Sequence, residues 1–177
     1  MEIKRFVVSD YFTNCYLIVF KNEVFVVDPG GEADKILKEI KKTEKKLTYI
    51  INTHYHPDHT GENEELKEKT GAKILIHEKE KDYIKFEVDK FLKEGDKIGS
   101  DDIFFEVILT PGHTEGSICL LSDNMIFTGD TLFKDGYGRT DFPGGSFEKL
   151  QESLQRISKL LNPGTMVYPG HGEVFGV

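Results

Sequence analysis

Thr53-His54-Tyr55-His56-Pro57-Asp58-His59-Thr60-Gly61 packs three imidazoles and a carboxylate into the short run from His54 to His59. Imidazole and carboxylate are ligands of borderline first-row metals such as zinc, iron and manganese. Alternate residues of an extended segment point the same way, so His54 and His56 can grip one ion. A turn at Pro57 sends Asp58 and His59 toward a second. The bland alternative is a polar loop whose histidines pack or cap locally. It suits one histidine but not this cluster, because crowded imidazoles and acids need a metal or solvent to be tolerated.

Working outward, Leu47 to Asn52 reads as a buried strand running straight into the cluster, since Tyr49-Ile50-Ile51 is apolar without alternation. Upstream, Lys4 to Val8, Cys15 to Phe20 and Glu23 to Val27 are strand signals, and Asp28-Pro29-Gly30-Gly31 stops the third. Ala33, Ile36, Leu37 and Ile40 fall at helical spacing. Downstream, Glu62 to Lys69 is a charged helix ended by Gly71, Lys73 to His77 a strand and Glu78 to Tyr83 a short helix. Lys85 to Gly99 reads as an edge hairpin or a lid. Ile103 to Thr110 follows as a strand, then a strand pair, Ser117 to Leu121 and Met125 to Thr128, about an Asp123-Asn124 turn. A helix from about Ser146 to Leu161 and a last strand, Met166 to Tyr168, complete the chain. Four times an apolar strand leads to a His or Asp loop: Ile51 before His54, Leu109 before His113, Phe127 before Asp130, Val167 before His171. Ligands gather at strand ends where the chain turns outward, so these loops are expected to converge on one site. Of the six histidines only His77 falls outside that set, and it reads as structural.

The chain's 177 residues suit one compact domain spanning 1–177. A formal net charge of −8 disfavours nucleic acid or an anionic membrane as the main partner. No apolar run approaches the roughly 20 residues needed to span a bilayer. The first residues lack a secretory signal, and Cys15 and Cys119 sit in strand-like runs that suggest buried free thiols. The expected location is cytoplasmic.

Thr13-Asn14-Cys15-Tyr16, Asp28-Pro29-Gly30, the histidine cluster, Thr110-Pro111-Gly112-His113-Thr114, Thr128-Gly129-Asp130-Thr131-Leu132-Phe133 and Pro169-Gly170-His171-Gly172 together resemble the metallo-β-lactamase superfamily. The resemblance runs from about residue 13 to 175. It implies a four-layer αββα sandwich, two mixed β-sheets face to face with helices outside and the site at one edge. It implies two divalent metal ions, zinc first and iron or manganese as alternatives. His54, His56 and His113 would hold the first and Asp58, His59 and His171 the second, with Asp130 bridging them. Asp58 and Asp130 are also the carboxylates expected to serve catalysis. Asp28 reads equally as a carboxylate supporting the ligands and as a turn-former before Pro29.

Gly136-Tyr137-Gly138-Arg139-Thr140-Asp141-Phe142-Pro143-Gly144-Gly145 is similar to the glyoxalase II-related branch. The chain ends shortly after His171, without the helical domain that helps full-length glyoxalase II hold glutathione, which leaves glutathione recognition an open question. Arg139 reads as an ion-pair partner of Asp141 or Asp135 ahead of a substrate clamp, while Tyr137 fits the pocket or the surface equally. The implied reaction is hydrolysis of a small thioester or ester, with a metal-bridging hydroxide attacking the acyl carbonyl. No Ser, Lys or Cys nucleophile is needed, and Cys119 reads as structural. The runner-up is a persulfide dioxygenase-like oxidoreductase using one iron at His54, His113 and Asp130. A β-lactamase, a nuclease and a non-catalytic scaffold rank lower.

Overall fold

The computed structural model describes residues 1–100 and 103–177. Among these, twelve strands form two mixed six-stranded sheets. The first holds β1 (Glu2–Val8), β2 (Thr13–Val19), β3 (Glu23–Val27), β4 (Lys46–Ile51), β5 (Lys73–His77) and β6 (Lys90–Leu92), paired in that order. The second holds β7 (Lys97–Ser100), β8 (Ile103–Leu109), β9 (Ile118–Ser122), β10 (Met125–Gly129), β11 (Met166–Pro169) and β12 (Phe175–Gly176), in reversed spatial order. The helices are α1 (Ala33–Thr43), α2 (Pro57–Thr60), α3 (Asn63–Thr70) and α4 (Phe147–Leu160). None is long and apolar enough to cross a membrane.

The layering follows from side-chain alternation. On β2 every residue is buried, because both faces are covered. Tyr16 and Ile18 enter the core between the sheets, meeting Phe105, Val107, Leu120 and Phe127 of the second sheet. Cys15, Leu17 and Val19 face the other way, into a cluster with Ala33, Ile36 and Ile40 of α1 and Leu66 of α3. On the far side Ile108, Cys119, Ile126 and Val167 pack against Ile157 and Leu160 of α4. Helix, sheet, sheet, helix is the αββα sandwich that the sequence motifs imply.

Four local features differ from the sequence reading. Lys85 to Gly99 holds neither a hairpin nor a lid: β6 adds in parallel to β5, whereas β7 adds antiparallel to β8. The segment crosses from one sheet to the other, and each short strand is an edge that finds a longer neighbour to pair with. The histidine loop contains its own helical turn, α2, starting at Pro57, whose preset φ suits a first helical position. The turn after β5 is a short 3-10 helix limited to Glu78–Glu80. β12 is only two residues long and pairs with β11. Gly71, in contrast, ends α3 in the left-handed conformation as expected.

Candidate metal centre

Both sheets contribute to one edge of the sandwich. β4 runs through Asn52 into His54 and His56, and Asn52 donates its Nδ2 to the His59 carbonyl at 3.0 Å, closing the loop. α2 then turns Asp58 and His59 back toward the strand end. His113 lies on the β8–β9 connection, Asp130 follows β10, and His171 follows β11. The approach of these segments requires glycine at several points, Gly30 and Gly170 among them. A Cβ on Gly30 would fall 1.3 Å from the Asp58 carbonyl oxygen, and one on Gly170 would lie 2.2 Å from Asp130 Oδ1.

The structure brings all seven expected side chains together, in three overlapping groups: His54, His56 and His113; His54, His59 and Asp130; Asp58, His59 and His171. The rings of His54, His56 and His113 form a triangle with centroid separations of 4.6 to 4.7 Å. His59 Nε2 lies 3.4 Å from His171 Nε2, Asp58 Oδ2 and Asp130 Oδ1 alike. His171 Nε2 is in turn 3.4 Å from Asp58 Oδ2 and 3.5 Å from Asp130 Oδ2. These spacings are long for hydrogen bonds, but they match the edge of about 3.4 Å between ligands arranged tetrahedrally about 2.1 Å from one ion. His54 Nε2, His56 Nε2 and Asp130 Oδ1 are buried with no hydrogen-bond partner. Buried polar atoms are rarely left so, and a cation is the group this donor set fits.

Electrostatics divide the imidazoles into two kinds. Burial, reinforced by the neighbouring imidazoles, drives His54 well below the ordinary histidine range and His56 to about 4. His113 is also lowered, by burial above all. These rings are neutral, with lone pairs available for a cation. Burial works the same way on His59 and His171, but the carboxylates around them outweigh it. Asp130 and Asp28 raise His59, and Asp130 with Asp58 raises His171 to about 10. Burial favours protonation of Asp58 and Asp130 too, yet His59, His171 and, for Asp58, the Thr13 hydroxyl hold both carboxyls below their usual range.

A ring of supporting residues fixes these side chains. Asp28, at positive φ, is both turn-former and support: its Oδ2 accepts from His59 Nδ1 at 3.0 Å and from Thr53 Oγ1 at 2.7 Å. His113 Nδ1 donates to the Arg139 carbonyl at 2.6 Å, and His171 Nδ1 to the Tyr11 carbonyl at 3.1 Å. Thr13 donates its hydroxyl to Asp58 Oδ2 at 2.8 Å, and Asn14 Nδ2 donates to the carbonyls of Pro169 and Gly172 beside His171. Thr13 and Asn14 stand in a motif recognised in the sequence without a role. Glu80, which binds the loops bearing His54 and His113, carried no sequence signal beyond being an acidic residue in a predicted helix.

The other residues singled out resolve plainly. Arg139 forms a bidentate pair with Asp141, both bonds 2.6 Å, and its guanidinium lies 4.1 Å above the Phe142 ring. Tyr137 is half exposed and leans toward Phe147 at the start of α4. His77 Nδ1 accepts from the Lys79 amide, capping the 3-10 turn. Cys15 and Cys119 are free and buried, and burial pushes the Cys119 thiol up to about 12.

Above the cluster opens a cavity of about 540 Å³. His56, Asp58, His113, Asp130 and His171 form its floor, and Tyr11, Tyr55, Phe133, Phe142, Pro57 and Pro143 its walls. Arg139 is the one Lys or Arg side chain among the described lining residues, and it is already engaged by Asp141.

Residues 8–171 match the family described as the metallo-beta-lactamase superfamily. The chain is 34% identical to "Hydroxyacylglutathione hydrolase GloC" of Haemophilus influenzae, over 98% of this chain and 92% of that protein. It is 35% identical to "Probable polyketide biosynthesis zinc-dependent hydrolase PksB" of Bacillus subtilis, over 89% of this chain and 72% of that one. Among solved structures, TTHA1623 in a di-iron-bound form superposes with a TM-score of 0.89 at 27% identity, covering 98% of this chain and 94% of the other.

Proposed function

Because the chain belongs to the metallo-β-lactamase superfamily, we propose that it is a metal-dependent hydrolase cleaving a small thioester at the edge of its sandwich. The observation that carries this is the convergence of seven ligand-type side chains, with buried polar atoms of His54, His56 and Asp130 that have no hydrogen-bond partner. In this reading His54, His56 and His113 hold one divalent ion and Asp58, His59 and His171 the other, with Asp130 between them. Zinc is the first choice, in line with the name of the Bacillus relative, and iron the second, in line with the di-iron neighbour. Such a pair supplies, when bound, water activation near neutral pH and polarisation of an acyl carbonyl.

The chain's own residues set up the rest. Asp58 and Asp130, both held below the usual carboxylate range, can each orient a water by accepting its hydrogen bond. The aromatic and proline walls exclude solvent and present an apolar face to an acyl group. A thiolate leaving group, with a pKa of about 8.5, departs largely unprotonated, so the cavity needs no general acid for it. The Haemophilus relative's name supports the thioester class. The acidic chain supports a small molecule over nucleic acid as substrate.

Elemental analysis on anaerobically purified protein, paired with thioester hydrolysis on the same sample, tests this. About two metals per chain with turnover is the expected result. One iron per chain, no thioester turnover and oxygen uptake with a persulfide would replace the hydrolase by a dioxygenase.

A further inference from the structure

Glu80 lies outside the seven-residue centre but joins the two segments that carry His54, His56 and His113. The 3-10 turn after β5 delivers it to a fully buried position. Its Oε1 accepts from Thr114 Oγ1 at 2.7 Å and from the Gly116 amide at 2.6 Å. Its Oε2 accepts from the Tyr55 amide at 3.1 Å. Tyr55 stands between His54 and His56, and Thr114 follows His113. One carboxylate therefore ties a loop of the first sheet to a loop of the second, beside the triangle of three imidazoles. Room has been left for it: a Cβ on Gly116 would lie 2.4 Å from Glu80 Oε1.

A buried carboxylate is costly, and an apolar side chain could fill such a space at less expense. Burial raises the Glu80 carboxyl to about 7, while Thr114, Gly116 and Tyr55 favour its charged form. All three bonds go to the ligand-bearing loops, which is what distinguishes Glu80 from a general filler of the core. The residues around Asp58, His59 and His171 draw on Thr13, Asp28 and Tyr11 instead.

We propose that Glu80 is a positioning residue that sets the spacing of His54 and His56 against His113, and so controls metal affinity at the three-imidazole subsite selectively. The inference rests on the two-metal reading above. Changing partners that orient metal ligands typically costs 10- to 100-fold in affinity, and Glu80 acts one step further out.

The test is cobalt(II) loading followed by chelator competition on the full chain, for wild type, Glu80→Gln and Glu80→Ala. The glutamine keeps an acceptor for Thr114 and Gly116 but turns an amide toward the Tyr55 N–H; alanine removes all three bonds. His56→Ala and His171→Ala supply reference spectra for a protein damaged at one subsite or the other. Glu80→Gln should release the three-imidazole cobalt about 10-fold more readily than wild type. With one cobalt bound, its absorption spectrum should match that of His56→Ala. Retention of both ions as in wild type, or parallel weakening of both, would overturn the proposal. Parallel weakening with a lowered Tm before metal addition would identify Glu80 as a support of the fold alone. If alanine prevents folding, the glutamine variant carries the test. Wild type that binds fewer than two cobalt ions overturns the two-metal reading itself, and the selective role falls with it.

Discussion

His59 is engaged at both ring nitrogens: Nδ1 on Asp28 and Nε2 at 3.4 Å from His171, Asp58 and Asp130. The Asp28 carboxylate fixes which nitrogen carries the proton, and so directs the other nitrogen's lone pair at the cluster. Asp28→Asn should lower affinity for the metal beside His59 by about 10- to 100-fold with the fold intact, measured by chelator competition and far-UV circular dichroism. His56 Nδ1 lies 2.9 Å from His113 Nε2, and its loss removes one corner of the three-imidazole triangle. His56→Ala should abolish both activity and one bound metal while the circular dichroism stays unchanged; full activity with undiminished metal would sink the assignment. Arg139 and Asp141 are both well exposed, with side-chain accessibilities of 59% and 65%. Solvent screens such exposed pairs, so Asp141→Ala should shift Tm little. If the resulting free guanidinium then improves hydrolysis of a carboxylate-bearing thioester, Asp141 acts as a gate on that charge.

At the scale of elements, the site depends on how closely strand ends can approach. The end of β11 reaches β10 because Gly170 has no side chain: a Cβ would also lie 2.8 Å from His59 Cε1. The Gly170 amide meanwhile donates to the Gly129 carbonyl at 2.8 Å, and the Asn14 amide to the Gly170 carbonyl at 2.7 Å. Gly170→Ala must therefore push apart β2, β10 and β11 or displace Asp130 and His59. Loss of metal and activity is expected with a destabilisation of about 1 to 3 kcal/mol, readable in chemical denaturation. Wild-type metal content in that variant would show that the strand ends have slack. The long, strongly patterned elements were legible in sequence because both faces of β2 are buried, β4 ends in buried Ile50-Ile51, and the faces of α1 and α4 are sided. β6, β7 and β12 were not, since an edge strand of two to four residues is specified by the partner it meets.

Over the whole molecule, His54, His56, Asp58 and His59 come from the first sheet, and His113, Asp130 and His171 from the second. Bound cations would therefore join the two halves of the sandwich as well as serve chemistry. A ligand at about 100 times its Kd adds roughly 2.7 kcal/mol to the folded state. For a chain of this size that corresponds to a Tm about 5 to 10 °C lower after chelation, checked by calorimetry with and without a chelator. An unchanged Tm would mean that the two sheets are held together without the metals. The inter-sheet core is itself extensive, with Tyr16, Phe25, Phe105 and Phe127 all fully buried in it.

Residue chemistry and spacing marked the candidate donor set and the four strand-end loops, and resemblance the αββα order. These were legible because ligands must be particular residue types, and one loop motif keeps four of them within a few positions of one another. What only the tertiary structure decided is how separate segments support that set. Glu80 is paired with residues up to 36 positions away, Tyr11 with His171 across 160, and Thr13 with Asp58 across 45. A buried carboxylate or a backbone carbonyl used in this way has no local pattern. Its partner is chosen by which loops the packed sheets bring within hydrogen-bond reach.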